Sequence, residues 1–139
     1  MTTLSLFRKQ PDVVEVDEVE TYVEAFEVVT GATIVRQGEA AGGFFVILSG
    51  TFTVLLETSP RPVVLGTLGP GSCFGETGLL LTGTHTATVR AASDGEVVCL
   101  PESELHRIVA DAVIAGVDLP TAAASFVRLL DWGAELEGA

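Results

Sequence analysis

The residue types and spacings best suited to chemistry fall in one stretch, residues 74–91, FGETGLLLTGTHTATVRA. Gly75 lets the chain turn, and Glu76 presents a carboxylate beside Gly75 and Gly78. Thr77 to Leu81 has the composition of one short helical turn, whose first amides have no partner within the turn. Free N–H groups next to glycine make an anion cradle. The polar loop Thr82 to Thr86 then leads into a strand. A carboxylate that accepts from sugar hydroxyls, beside a cradle that holds a phosphate, is the chemistry of nucleotide recognition. Each residue also has a plainer role. Glu76 either meets a ligand or accepts from backbone amides of its own turn. His85 is either a loop residue or a titrating contact, neutral when empty and protonated beside an anion. Cys73, beside this stretch, reads as a small buried residue.

The elements that must position these residues are mostly strands. Residues 1–20 form an acidic lead-in, with Asp12, Glu15, Asp17, Glu18 and Glu20 on what reads as a solvated face. It is either a short helix or extended chain. Residues 21–101 read as β throughout: Tyr22 to Val29, Thr33 to Val35, Phe44 to Leu48, Thr51 to Leu56, Val63 to Leu68, Thr86 to Ala92 and Glu96 to Leu100. The pairs Ser49-Gly50 and Asp94-Gly95 are hairpin signals. Short strands at this spacing predict a sandwich or barrel. After Pro101 the pattern turns helical, first over Glu102 to Val109. Gly116 and Pro120 then separate a last helix, Thr121 to Leu136, with Ala122, Phe126, Leu129, Leu130, Gly133 and Leu136 on one side. Phe126, Leu129 and Leu130 serve either intradomain packing or a dimer seam. The units are therefore a lead-in over 1–20, a barrel over 21–110 and a helical tail over 111–139.

Composition excludes several classes. Seven Lys and Arg stand against nineteen Asp and Glu in 139 residues, a net charge of -12. Such a chain has no basic stripe to track nucleic-acid phosphates and no affinity for an anionic membrane surface. It also sets an unfavourable field for any small anion. The apolar run Phe44 to Leu56 is broken by Ser49, Gly50, Thr51 and Thr53, and is too short to span a bilayer. No apolar segment follows Arg8 and Lys9 as a signal peptide would need. Two cysteines, Cys73 and Cys99, do not make a disulfide framework. Free thiols and a cytoplasmic setting are expected. Two histidines, His85 in a loop and His106 in a helix, do not make an enzyme's metal site, and no nucleophile elbow is present. No enzyme activity and no required cofactor are expected.

The sequence resembles the cyclic-nucleotide-binding domain family over about residues 24–110. The likeness runs through GATIVRQGEAAGGFFVILSGTFTVLL (31–56), LGTLGPGSCFGE (65–76), the phosphate-binding cassette at 74–91, and TVRAASDGEVVCLPESELHRIV (88–109). It implies a mainly β fold with flanking helices, a double-stranded β-helix or jelly-roll barrel followed by C-terminal helices. It also implies ligand-binding roles for Phe74, Gly75, Glu76, Thr77, His85, Thr86 and Ala87. Glu76 would accept from a ribose 2′-hydroxyl, and Thr86 could donate to a phosphate oxygen. The family's phosphate-binding Arg is missing, and His85 stands in its place. Arg90, four positions further on from the small residue at 86, matches a strand position outside that site. Arg gives a planar fork and a permanent charge, which a neutral His does not. A lost charge-assisted hydrogen bond is worth about 1.5–3 kcal/mol, so affinity for a cyclic phosphate should fall roughly 10–100-fold.

The expectation is a stand-alone sensor or regulatory domain with weakened or altered cyclic nucleotide binding. The alternative is a non-binding barrel kept as a dimerisation or protein-interaction module. A small nucleotide and a second copy held through the C-terminal helix are the expected partners. Transcriptional members of the family carry a helix-turn-helix after the long C-terminal helix. The sequence stops at Ala139, about one helix past the barrel, so a transcription factor is not expected.

Overall fold

The computed structural model describes residues 6–8, 12–16 and 19–129. The strands in chain order are β1 (Leu6–Arg8), β2 (Asp12–Val16), β3 (Val19–Val28), β4 (Thr33–Val35), β5 (Gly43–Ser49), β6 (Phe52–Leu56), β7 (Val63–Leu68), β8 (Cys73–Phe74), β9 (Thr88–Ala91) and β10 (Gly95–Pro101). A π-helical turn, Gly78–Thr82, lies between β8 and β9, and helices α1 (Glu102–Ala115) and α2 (Leu119–Leu129) follow β10. One sheet has the order β1-β3-β10-β5-β8, with β2 also pairing β3, and the other has the order β4-β9-β6-β7. All pairings are antiparallel. This is the mainly β jelly-roll architecture with C-terminal helices that the sequence predicts.

Strand β5 shows why its apolar run does not alternate. Phe45 and Ile47 pack between the two sheets with Phe26, Phe52, Phe74 and Val89. Phe44, Val46 and Leu48 face the opposite way, against Leu105, Ile108, Phe126 and Val127 of the helices. A strand covered on both faces needs apolar residues at every position. Phe45 and Phe74 stack with ring centroids 5.1 Å apart, which fixes β8 on β5 just before the cassette.

The two hairpin signals do something else. β5 and β6 lie in different sheets, as do β9 and β10. Ser49-Gly50 and Asp94-Gly95 therefore carry the chain from one sheet to the other. The two crossings touch backbone to backbone. A Cβ on Gly50, whose φ is +93°, would lie 2.7 Å from the Asp94 carbonyl oxygen and 2.8 Å from the Gly95 Cα. Glycine is needed there for contact across the molecule and not for a tight hairpin.

The helical region also differs from expectation. α1 runs on to Ala115, because Val109 to Ala115 continues with helix-compatible residues until Gly116 ends it at φ +72°. Pro120 does not separate the helices. It sits in the first turn of α2, where its missing N–H is no loss, and the Thr121 N–H donates to the Asp118 carboxylate at 2.9 Å. Phe126 is buried within the domain, so its packing is internal. Leu130, Gly133 and Leu136 lie outside the described residues. The lead-in is extended where it is described, with β1 and β2 both on β3. No single described helix is long and apolar enough to cross a membrane.

Candidate functional site

The cassette is a loop held at both ends by backbone. Where β8 stops, Gly75 takes φ +92°, a region closed to most side chains. A Cβ there would also lie 3.3 Å from the Gly43 carbonyl oxygen and 3.5 Å from His85 Cε1. At Gly78 a Cβ would lie 2.5 Å from the Thr84 carbonyl oxygen, so the turn rests directly on the returning loop. Gly83, at φ +80°, closes the turn by donating its N–H to the Gly78 carbonyl at 2.6 Å.

The returning loop is then pinned to residues 38–41. The Gly38 N–H donates to the His85 carbonyl at 2.8 Å, and the His85 N–H donates to the Glu39 carbonyl at 2.9 Å. The Ala41 N–H donates to the Gly83 carbonyl at 2.9 Å. These bonds set the imidazole of His85 against Gly75.

Between the turn and the smaller sheet lies a cavity of about 230 Å³. Phe74, Gly75, Glu76, Thr77, His85, Thr86 and Ala87 all line it. Sequence reasoning missed its apolar wall, made by Val35, Val54, Leu68 and Val89, and the contributions of Cys73 and Gly78. These wall residues come from β4, β6, β7 and β9 and read in sequence only as core.

The polar groups in the cavity are incompletely satisfied. Glu76 Oε1 is buried and has no hydrogen-bond partner. Burial pushes the Glu76 carboxyl above its ordinary value, against a smaller lowering by its own backbone amide. His85 is 8% exposed, and among the described residues its ring has no hydrogen bond. Burial pushes the imidazole down, toward the neutral form, with nearby Glu39 pulling the other way. Cys73 is a free buried thiol, pushed up to about 12 by burial and by the Glu76 and Asp118 carboxylates, so it is not a ready nucleophile.

Among the described residues, none that lines the cavity is Lys or Arg. Arg90 is on the other face of β9, in a groove with Leu55 and Glu57. On that face a polar network is complete. Arg36 Nη1 donates to both Glu57 carboxylate oxygens at 3.2 Å, Thr88 Oγ1 donates to Glu57 Oε2, and the Gln37 N–H donates to Thr88 Oγ1 at 2.9 Å. The Glu57 N–H donates to Gln37 Oε1 at 2.7 Å. Thr88 is fully buried. The sequence contained no signal for this network, because its members are far apart in the chain.

Comparison with known proteins agrees with the fold. The sequence pattern of the cyclic nucleotide-binding domain matches residues 25–112. The chain is 38% identical over 85 residues to cGMP-dependent protein kinase, isozyme 1, of Drosophila melanogaster, a match that covers 58% of this chain and 11% of the kinase. In structure it is similar to the sensor domain of the transcriptional regulator DNR from Pseudomonas aeruginosa, with a TM-score of 0.59, 22% identity, and coverage of 78% of this chain and 70% of that one. It is also similar to the EAL enzyme Bd1971 in its cAMP-bound form, with a TM-score of 0.57, 22% identity, and coverage of 81% of this chain and 29% of the enzyme.

Proposed function

The chain belongs to the cyclic nucleotide-binding domain family, and from that premise we propose that it is a non-catalytic sensor domain whose hold on a cyclic phosphate is weakened by His85. The observation that carries this reading is the cavity itself. Nine residues of the 74–91 cassette converge on it, and it contains a buried carboxylate oxygen with no donor. In this reading Glu76 accepts from a ribose hydroxyl, the Gly75 backbone lies along the ligand, and Thr86 donates to a phosphate oxygen. His85 occupies the place of the charged fork and supplies at most a neutral donor. The expected penalty is roughly 10–100-fold in affinity against a site with Arg. The kinase relative contains this domain as a small part of its length, which supports a regulatory role for the domain.

Titration with cAMP and cGMP, followed by calorimetry and thermal unfolding, tests the reading. A ligand at 100 times its Kd should stabilise the fold by about 2.7 kcal/mol. No response at millimolar concentrations would overturn it and favour an interaction module. One observation stands behind that alternative: Val113 and Ile114 on α1 are 76% and 84% exposed. Self-association through the C-terminal helix belongs to the same proposal and would show as a dilution-dependent mass.

A further inference from the structure

The cavity has a charge pattern that its backbone does not require. Among the described residues, its walls carry a carboxyl and an imidazole but no permanent cation. The arginines that follow the wall residues Val35 and Val89 in sequence are committed or face elsewhere. Arg36 is tied to Glu57, and Arg90 lies across β9 in the outer groove. Glu39 acts on His85 from outside the cavity, adding a second negative group to the neighbourhood. The chain as a whole stands at -12.

The hydrogen-bonding inventory makes the asymmetry sharper. Glu76 Oε1 needs a donor. A neutral imidazole offers one donor and one acceptor. A phosphate only accepts, so it cannot itself supply the donor that Glu76 Oε1 lacks, and it brings a negative charge toward two carboxylates. A sugar hydroxyl both donates and accepts, and a pair of them can satisfy the carboxylate and the imidazole together. The cavity is half open and its volume is modest. About 230 Å³ lies below the roughly 300 Å³ at which pockets for drug-sized ligands begin, and suits a sugar better than a whole nucleotide.

Resting on the sensor reading above, we infer that this cavity is built for an uncharged, hydroxyl-bearing group, so that the sugar of a nucleoside, and not the phosphate, supplies the affinity. A nucleoside without phosphate then binds about as well as its cyclic monophosphate. Removing the hydroxyl that reaches Glu76 costs far more than removing the phosphate, because the buried acceptor is again left without a donor.

Calorimetric titration of the full chain with adenosine, guanosine, their 3′,5′-cyclic monophosphates, 2′-deoxyadenosine and ribose tests this. The expected result is a Kd for each nucleoside within about threefold of its cyclic monophosphate, with 2′-deoxyadenosine weaker by about tenfold or more. Glu76→Ala should weaken adenosine by about tenfold or more, with the fold confirmed by circular dichroism. Cyclic monophosphates tighter than nucleosides by about thirtyfold or more would overturn the inference and leave the cyclic nucleotide reading standing. Equal binding of adenosine and 2′-deoxyadenosine, or no effect of Glu76→Ala, would also overturn it. Ribose binding without any nucleotide response would support the inference and overturn the nucleotide reading. No response to any of these compounds would overturn both.

Discussion

The two faces of β9 contrast sharply. On the outer face Thr88, Glu57, Arg36 and Gln37 satisfy one another, and Thr88 is fully buried. On the inner face Glu76 Oε1 has no partner, and the imidazole of His85 borders open space. Both regions are polar and both adjoin the same short strand. Only the second leaves hydrogen-bonding capacity unused, and buried polar groups are normally satisfied unless something else completes them. The difference separates a network that holds the cassette's exit strand in place from a set of groups with a hydrogen-bonding site left open, as the proposed ligand-binding role requires.

The most severe way to break the contrast is on the outer face. Thr88→Val should leave the Gln37 N–H without its acceptor and Glu57 with Arg36 as its remaining donor, and reduce stability by about 2–3 kcal/mol in urea unfolding. A loss below about 0.5 kcal/mol would show that the network is as dispensable as a surface ion pair.

Next in size is a change that fills the gap on the inner face. His85→Arg should restore a permanent cation and strengthen cyclic monophosphates by roughly 10–100-fold, while adenosine changes little. Calorimetry of the variant with both ligands measures the difference. Equal strengthening of both would mean that the new side chain acts by packing and not by charge.

The smallest effect concerns Glu76. Because its Oε1 is buried without a donor, Glu76→Gln should leave stability within about 1 kcal/mol of the parent, a discounted figure for a partly open group. Its sign depends on pH. Burial holds the folded carboxyl above its ordinary value of 4.5, so the folded chain keeps a proton that the unfolded chain has released. That contribution is complete below 4.5 and is lost as pH rises through the folded value. The variant lacks this loss. Its stability relative to the parent should therefore rise as pH rises above 4.5, and a flat difference would mean that Glu76 titrates normally.

The same contrast explains what could be read in the sequence. The cassette residues are contiguous, so the stretch 74–91 stood out by type and spacing, and the roles of residues within it came from the family resemblance. The strands were legible because their apolar and β-branched runs are local properties. Partnership was not. Ser49-Gly50 and Asp94-Gly95 have the chemistry of hairpin turns, yet whether flanking strands pair is decided by residues far away. Val35, Val54 and Leu68 looked like ordinary core because an apolar wall and an apolar core use the same residues. The Arg36–Glu57–Thr88 network was invisible because Arg36 and Thr88 lie 52 positions apart in the sequence. The unpaired state of Glu76 Oε1 is a property of its surroundings, and no residue type encodes it.

The place of β10 in its sheet also bears on the order of events during synthesis. β3 and β5 do not pair with each other; β10 lies between them and bonds to both. As the chain emerges from the ribosome, the larger sheet therefore remains in two pieces until Gly95–Pro101 has been made. Every residue that lines the cavity is already present by then. Completion waits for a late strand to slide between two early ones, a long-range closure of the kind that makes β topologies slow to fold.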